Sequence, residues 1–386
     1  MTVKTKYYSV VPWIEKHRCL VLWTVVLGFY VVGLWPFNFY PRNRVQWIAG
    51  ENGIHLARYA IAYSEHPLRL NPQASFGQPT GCFAIEVWLQ AGTEPSGGVP
   101  VILSLFDGRL PENLLIGQWK SGILIRAPLS EQGEARGYRE IGIDKTLQKG
   151  RKVLVTVTAD STGTAFFVDG ILVRRYPKYI FPAQLVQGQL ILGNAATQDR
   201  TWEGNMYGLA FWGKSLSSME VMNHHRLWIE HKATRLAGEE GLAALYLFDA
   251  GPTQWIDDES GMRLRLYVPE RYQVLRKRVL SSPLTDYRLT RSYFKDVVVN
   301  ILGFVPFGFI FFLHRMEISP NLGSWNILMP ILLGAVISLS IELLQAFLPS
   351  RSSQLTDLFM NISGVAIGIG FALIAARYHH HGFHHS

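Results

Sequence analysis

Apolar residues are not spread evenly along this chain. They form long unbroken runs near its start and through its last part, and between these the pattern changes to alternation of apolar and polar positions. The first run, CLVLWTVVLGFYVVGLWPF from Cys19 to Phe37, has no charge over 19 residues, about what a helix needs to cross roughly 30 Å of hydrocarbon. Three more runs come late: Val297 to Leu313, Asn326 to Leu348 and Leu355 to Ala376, with the short polar connections HRMEISPNLGSW and PSRSSQ between them. A bundle of four transmembrane helices is predicted, the last three joined as hairpins. After the first run comes WPFNFYPRNR, with aromatics and Arg suited to an interface and no small-residue cleavage site. That run is read as an uncleaved anchor rather than a signal peptide.

From about Asn52 to Val268 the period falls to two, in short strands separated by Gly, Pro, Asn and Asp. FAIEVWLQA puts Phe83, Ile85, Val87 and Leu89 on one face, and KVLVTVTAD does the same with Val153, Val155 and Val157. TAFFVDGILVRR contains Asp169-Gly170, a pair suited to a tight hairpin turn. These strands predict an antiparallel β-sandwich, so the fold class is multidomain, α plus all-β. The expected division is an N-terminus and first helix over 1–40, the sandwich over 41–270, a basic linker over 271–295, three transmembrane helices over 296–377 and a His-rich tail over 378–386.

Composition agrees: 48% hydrophobic and 17% charged residues lie toward the membrane end of the globular range. The net charge of +8 matters by its location. Lys4, Lys6, Lys16 and Arg18 precede the first run and argue for a cytoplasmic N-terminus with the sandwich exported. Arg276, Lys277, Arg278, Arg288, Arg291 and Lys295 precede the second and conflict with a simple positive-inside count. The first helix is given precedence, which puts the sandwich outside the plasma membrane of a multi-pass protein. The basic stretch then has two open readings, contact with lipid phosphates or the pyrophosphate of a lipid-linked sugar, and a solvated linker. Cys19 and Cys82 fall in different environments, so no disulfide is expected, and Cys82 is read as a small core residue. The tail HHHGFHHS is given no role. No nucleotide-binding loop, zinc motif, nucleophile elbow or nucleic-acid signature is visible.

Within the apolar runs a few polar residues recur at helical spacing: Asp296 and Asn300, Glu342 and Gln345, Asp357 and Asn361. Each pair lies on one helix face. Hairpin connectivity puts all three pairs at one side of the membrane, with Trp35, Pro36 and Asn38 after the first run. Gly364, Gly368 and Ala372 share the stripe of Asp357 and Asn361, so that face is expected to be buried. Ionisable groups in a membrane span are functional candidates by default; the alternative is a helix-packing network in which Asp357 caps its helix. If chemistry occurs, Glu342 or Asp357 is placed as general base and Arg351 as the group that stabilises phosphate charge.

Two resemblances follow from these residues. The ordered set FAIEVWL, VILSLFDG, LVTVTAD, FFVDGILV, LILGN, WEGNMYGLAFWGKSLSSMEV, LYLFDAG and DDESG resembles the laminin G-like, concanavalin A-type jelly roll. That resemblance implies a module binding glycans or proteins, sometimes through calcium. Asp107, Asp160, Asp199 and Asp249 are loop carboxylates for such an ion, with turn formation as the competing reading. Trp119, Trp202 and Trp212 are the aromatic faces for a sugar ring, with packing as the competing reading. DVVVNILGFVPFGFIF, SIELLQAFLPSRSSQLTDLFMNISGVAIG and the early WPFNF are similar to the VanZ-like membrane family, with matches at Asp296, Asn300, Phe304, Pro306, Gly308, Glu342, Gln345, Arg351, Asp357, Asn361 and Gly364. The jelly roll then reads as an insertion between the first and second spans, a departure from short family members. The resemblance implies a bacterial envelope protein concerned with surface polysaccharide, cell-wall glycan or glycopeptide resistance. Its expected partners are membrane lipids, a glycan or lipid-linked glycan, and polysaccharide synthesis or export proteins. Two other classes stay open: an anchored lectin or adhesion module without catalysis, and a lipid or glycolipid transporter.

Overall fold

The computed structural model describes residues 17–70, 82–95, 97–108, 113–128, 137–181, 183–282, 291–319 and 323–381. Lys4, Lys6, Lys16 and Arg288, invoked above for orientation and linker charge, and the tail from Gly382 lie outside the described residues. The chain divides into two compact units: Tyr40–Lys277, and a helical unit from the residues before Tyr40 together with those from Arg278 on.

The first unit is the expected sandwich. Its strands are β1 Val45–Trp47, β2 Ile54–Leu56, β3 Ala62–Arg69, β4 Phe83–Ala91, β5 Val101–Phe106, β6 Leu114–Trp119, β7 Gly122–Pro128 and β8 Tyr138–Ile143. They continue with β9 Lys152–Asp160, β10 Gly163–Val168, β11 Ile171–Tyr176, β12 Gln187–Leu192, β13 Gly204–Trp212, β14 Leu242–Tyr246, β15 Trp255–Ile256 and β16 Leu266–Tyr267. One sheet has the order β1-β2-β13-β4-β9-β10-β11 with β14 also on β13; the other is β15-β16-β3-β12-β5-β6-β7-β8, and all their ladders are antiparallel. Phe83, Ile85, Val87, Leu89, Val153, Val155 and Val157 all enter the core between the sheets, as their alternation requires.

Intervening residues of the first sheet are buried too, because α-helix Ser218–Ile229 packs over its outer face on Ala84, Trp88, Leu154 and Trp212. Ser217 starts that helix with a capping box: its hydroxyl accepts from Glu220 N while the Glu220 carboxylate accepts from Ser217 N at 2.7 Å. The Asp169-Gly170 turn joins β10 to β11 with φ of 50° and 82°, the doubly positive pair of a tight hairpin. Tyr272 and Val274, inside the stretch read as a basic linker, are buried with Tyr59, Ile61, Phe106 and Ile191. Cys82 corrects an expectation: it is an exposed free thiol, because it precedes the first residue of β4 and so misses the core.

In the helical unit we number the helices in chain order with the one above as α2: α1 Arg18–Leu34, α3 Arg291–Ile318, α4 Ser324–Gln345 and α5 Leu355–His381. Three stretches, Tyr293–Met316, Ser324–Gln345 and Leu355–Ala375, are long and apolar enough to cross a membrane. The first helix differs from expectation. It has 17 residues, about 26 Å at 1.5 Å each, and its apolar part, Cys19–Leu34, is shorter than those three. Trp35, with φ −61° and ψ 133°, is extended, as a residue before proline prefers, so the helix stops before Pro36. Among the described residues there are therefore three spanning candidates and a shorter apolar helix packed on them through Leu22, Leu34 and Phe29, whose ring stacks on Phe304 at 4.2 Å.

Helices α3 and α5 meet through glycine. A Cβ on Gly364 would lie 2.2 Å from Ile301 O, one on Gly368 2.2 Å from Val305 O, and one on Gly308 2.2 Å from Val365 O. The small-residue stripe is thus the buried face, with Ala372 fully enclosed.

Candidate functional site

Because α4 ends where α3 and α5 begin, the polar residues of those three termini come together. They line a cavity of about 560 Å³ with the last turns of α1. Asp296, Asn300, Glu342, Gln345, Arg351, Asp357 and Asn361 are all in its wall. Arg276, Lys277 and Arg278 are not: the first two belong to the sandwich unit, where Arg276 N donates to Ala196 O at 2.8 Å.

Each polar group has a local reason for its position. Glu342, 3% exposed, accepts from Gln354 N at 2.8 Å and so holds the start of α5, where a carboxylate also meets the positive end of the helix dipole. Asn300 Nδ2 donates to Asp357 Oδ1 at 2.8 Å, tying α3 to α5. Gln345 Nε2 donates to Gly33 O at 2.9 Å, and Arg351 donates to Trp35 O at 3.0 Å and Val32 O at 3.3 Å, satisfying carbonyls that the end of α1 leaves open. Asn361 Nδ2 donates to Ser338 Oγ at 2.9 Å, while the buried Oδ1 of Asn361 has no partner among the described residues. Asp296 is exposed. Sequence reasoning missed the serines: Ser338, which supports Asn361, and Ser340, whose hydroxyl is 2.6 Å from that of Tyr30 in α1. The i, i+4 spacing of Ser338 to Glu342 was the available signal.

The sandwich carries a second cleft, about 610 Å³, bordered by Trp119, Arg58, Arg126, Asp199, Arg200 and Glu203 among others. Trp119 is 46% exposed at the end of β6. The other two indoles are corrected: Trp202 and Trp212 are buried, with Nε1 donating to Gln118 Oε1 at 2.7 Å and to Glu86 Oε2 at 3.1 Å, so neither offers a face to a sugar. Asp160 accepts from both the backbone N and the hydroxyl of Thr162, a turn-forming role, and Asp199 accepts from Tyr272 at 2.8 Å and Thr201 at 2.7 Å. Burial pushes the Lys277 ammonium down to about 8, with the Asp199 charge acting in the opposite direction. Among the described residues no group of three or more His, Cys, Asp or Glu side chains converges as a metal site needs.

One buried charged group gave no warning in the alternation of β4. Glu86 is fully enclosed under α2, and its carboxylate accepts from Trp212 Nε1, from Trp228 Nε1 at 3.3 Å and from His224 Nδ1 at 3.1 Å. His224 Nε2 lies 2.9 Å from Glu239 Oε2.

Comparison with known proteins bears on both units. No curated protein matches the chain. Among solved structures, a putative carbohydrate binding protein from Bacteroides ovatus ATCC 8483 is similar at 15% identity and a TM-score of 0.38, over 58% of this chain and 61% of that one. The chain thus spans less than two thirds of that protein's length. The CBM40 of Ruminococcus gnavus IT-sialidase, bound to α2,3 sialyllactose, is similar at 13% identity and a TM-score of 0.33, over 45% of this chain and 96% of that one. The receptor binding domain of botulinum neurotoxin D is similar at 11% identity and a TM-score of 0.34, over 47% and 46% of the two chains. Residues 65–222 match the concanavalin A-like lectin/glucanases superfamily and residues 244–376 match the VanZ/LLP1 family, the first match lying in the sandwich and the second running from its last strands into the three long apolar helices.

Proposed function

We propose that this protein binds glycan at a bacterial cell envelope, its sandwich holding saccharide and the cavity of its helical unit receiving the polar end of a membrane lipid or lipid-linked glycan. The observation that carries the reading is the cavity: the six polar side chains foreseen from helical spacing line it together with Arg351, at one end of three long apolar helices. Polar groups cost free energy in hydrocarbon unless paired or facing a wet cavity, so a cavity lined by them is suited to a polar guest. On the sandwich, the exposed Trp119 indole beside Arg58, Arg126, Asp199 and Glu203 combines an apolar platform with donors and acceptors, the mixture sugar recognition uses.

In this reading α1 acts as a fourth span, short enough to thin the bilayer around it, the N-terminus is cytoplasmic and the sandwich lies outside the plasma membrane. The cell process is surface polysaccharide or cell-wall glycan handling, with glycopeptide sensitivity as a readout, and polysaccharide synthesis or export proteins are its candidate neighbours. Calcium in the sandwich is left to a binding test. Glu342 and Asp357 are the candidates for proton transfer if the lipid is altered. A second reading, an anchored glycan-binding module without catalysis, is favoured by one observation: Glu342, Gln345 and Arg351 all hold other helices in place. The test is complementation of a deletion strain with Glu342→Gln and Asp357→Asn at equal membrane abundance, scoring surface polysaccharide and glycopeptide sensitivity. Loss of either phenotype supports the cavity as the working site; full rescue by both transfers function to the sandwich.

A further inference from the structure

The cleft beside Trp119 has a neighbour. A second cleft of about 490 Å³ is bordered by Gly92, Glu94, Gln118, Lys145 and Lys149 among others, and the two meet at two places. Gln118 and Trp119 are consecutive in β6, one in each wall, and Gly92 N of the second cleft donates to Glu203 O of the first at 3.1 Å. Two clefts with a shared wall make a groove rather than a pit, a shape for a chain of sugars rather than for a single one. This step rests on reading the sandwich as a glycan-binding module, and the charges of the groove narrow the class of glycan. Arg58, Arg126 and Arg200 border the first cleft, Lys145 and Lys149 the second, and Lys120 stands beside Trp119 with its Nζ 6.0 Å from the indole. Arg126 has an anionic partner, Glu140; the other five cations form no ion pair among the described residues. Arg58 lies over the Tyr59 ring, and Arg200 donates to the neutral amide of Gln198.

The carboxylates are fewer. Asp199 accepts from Tyr272 and Thr201 and lies near enough to the Lys277 ammonium for their charges to act on each other. Glu94 and Glu203 are exposed in the walls, and Asp144, next to Lys145, is exposed beside them. With Asp199 set against Lys277, five cations without a counterion face these three carboxylates. A neutral sugar chain leaves that excess unanswered. We infer that the two clefts form one groove for an acidic saccharide chain, its acid groups borne on carboxylate or on phosphate. Guanidinium forks match the oxygens of either group, and ammonium groups act on both as point charges. The Trp119 indole covers the apolar face of a sugar ring, while Glu94 and Glu203, acceptors only when ionised, take hydrogen bonds from its hydroxyls.

The test is a glycan array of uronate, sialylated, phosphate-bearing and neutral chains, probed with the full chain in detergent. The acidic chain bound best is then titrated beside its neutral form, methyl-esterified where the acid is a carboxylate and dephosphorylated where it is a phosphate, which also assigns the source of the charge. The expected result is binding of the acidic form tighter by about tenfold or more, the factor carried by one charge-assisted hydrogen bond. Salt raised from about 0.05 to 0.5 M is expected to weaken the acidic form and spare the neutral one. Arg58→Gln changes an exposed residue of the first cleft, and the double variant Lys145→Gln, Lys149→Gln changes exposed residues of the second, so both are expected to fold. Each is expected to weaken an acidic tetrasaccharide, whereas a disaccharide responds to one of them alone. A tetrasaccharide that responds to only one variant overturns the shared groove. Neutral chains bound as tightly as acidic ones overturn the inference and leave glycan binding in place; an array with no member bound removes glycan binding itself, and the inference with it.

Discussion

Both units bury carboxylates, and they do so in opposite ways. Under α2 of the sandwich, the Glu86 carboxylate is surrounded by two indole N–H groups and His224, whose other nitrogen faces Glu239, and both Glu86 and His224 are buried. At the polar end of the helical unit, Glu342, Asp357 and Asn361 also bond to neighbouring elements, yet they border open space and Asn361 Oδ1 is unsatisfied. The difference is one of enclosure: the Glu86 carboxylate is fully paired inside a closed fold, which serves specificity and rigidity, whereas the carboxyl groups of the helical unit border a cavity.

Breaking the closed side has the largest effect. Glu86→Ala leaves His224 and two indole donors without their acceptor in a fully enclosed place, and is expected to destabilise the sandwich by about 3 to 5 kcal/mol, read as a shift of the denaturation midpoint. A tolerant Glu86→Ala would erase the contrast between the two units. Next comes Gly364→Ala, whose methyl would press on Ile301 O at 2.2 Å. A main-chain oxygen cannot swing aside, so a loss of about 1 to 3 kcal/mol or more is expected for the helical unit. Gly303→Ala, with nothing within 4 Å of the added Cβ, is the control that should melt near wild type.

A smaller effect follows from titration of the closed cluster. Burial works against the charged His224 imidazole, but hydrogen bonds and charges from Glu86 and Glu239 outweigh it and hold its pKa above the ordinary 6.5. A group whose pKa is raised on folding contributes stability that is fully present below its unfolded value and is lost as pH rises through the folded one. The sandwich should therefore become less stable as pH climbs above 6.5, and Glu239→Gln should flatten that slope in melting curves recorded across the range.

What the sequence revealed in advance follows the same division. Helical spacing was enough to bring Asp296, Asn300, Glu342, Gln345, Asp357 and Asn361 to one cavity, because hairpin connectivity leaves little freedom about which helix ends meet. Strand faces were legible from period two, and the Asp169-Gly170 turn from its residue types. Glu86 was hidden: in FAIEVWLQA it occupies an outward position, which reads as solvent-facing until a helix far along the chain covers it. Trp202, just before β13, and Trp212, at its end, were ambiguous because a large aromatic is equally at home in a core and at a surface, and only pairing with Gln118 and Glu86 decides. The first helix was overestimated because its apolar run continues through Trp35, Pro36 and Phe37, past the point where proline ends helical hydrogen bonding.

The smallest stability effect sharpens the comparison from the open side of the sandwich. Trp119 is 46% exposed, and its ring meets Lys120 at 6.0 Å, an exposed cation contact of little energetic consequence. Trp119→Ala should thus leave the melting temperature almost unchanged, within about 0.5 kcal/mol, while glycan binding falls about tenfold or more as the apolar platform is removed. Isothermal titration or a glycan array on the full chain measures the second quantity and a thermal melt the first. Unchanged binding would move saccharide recognition away from this cleft, and a large loss of stability would class Trp119 with Glu86, as part of the closed fold rather than of an open surface.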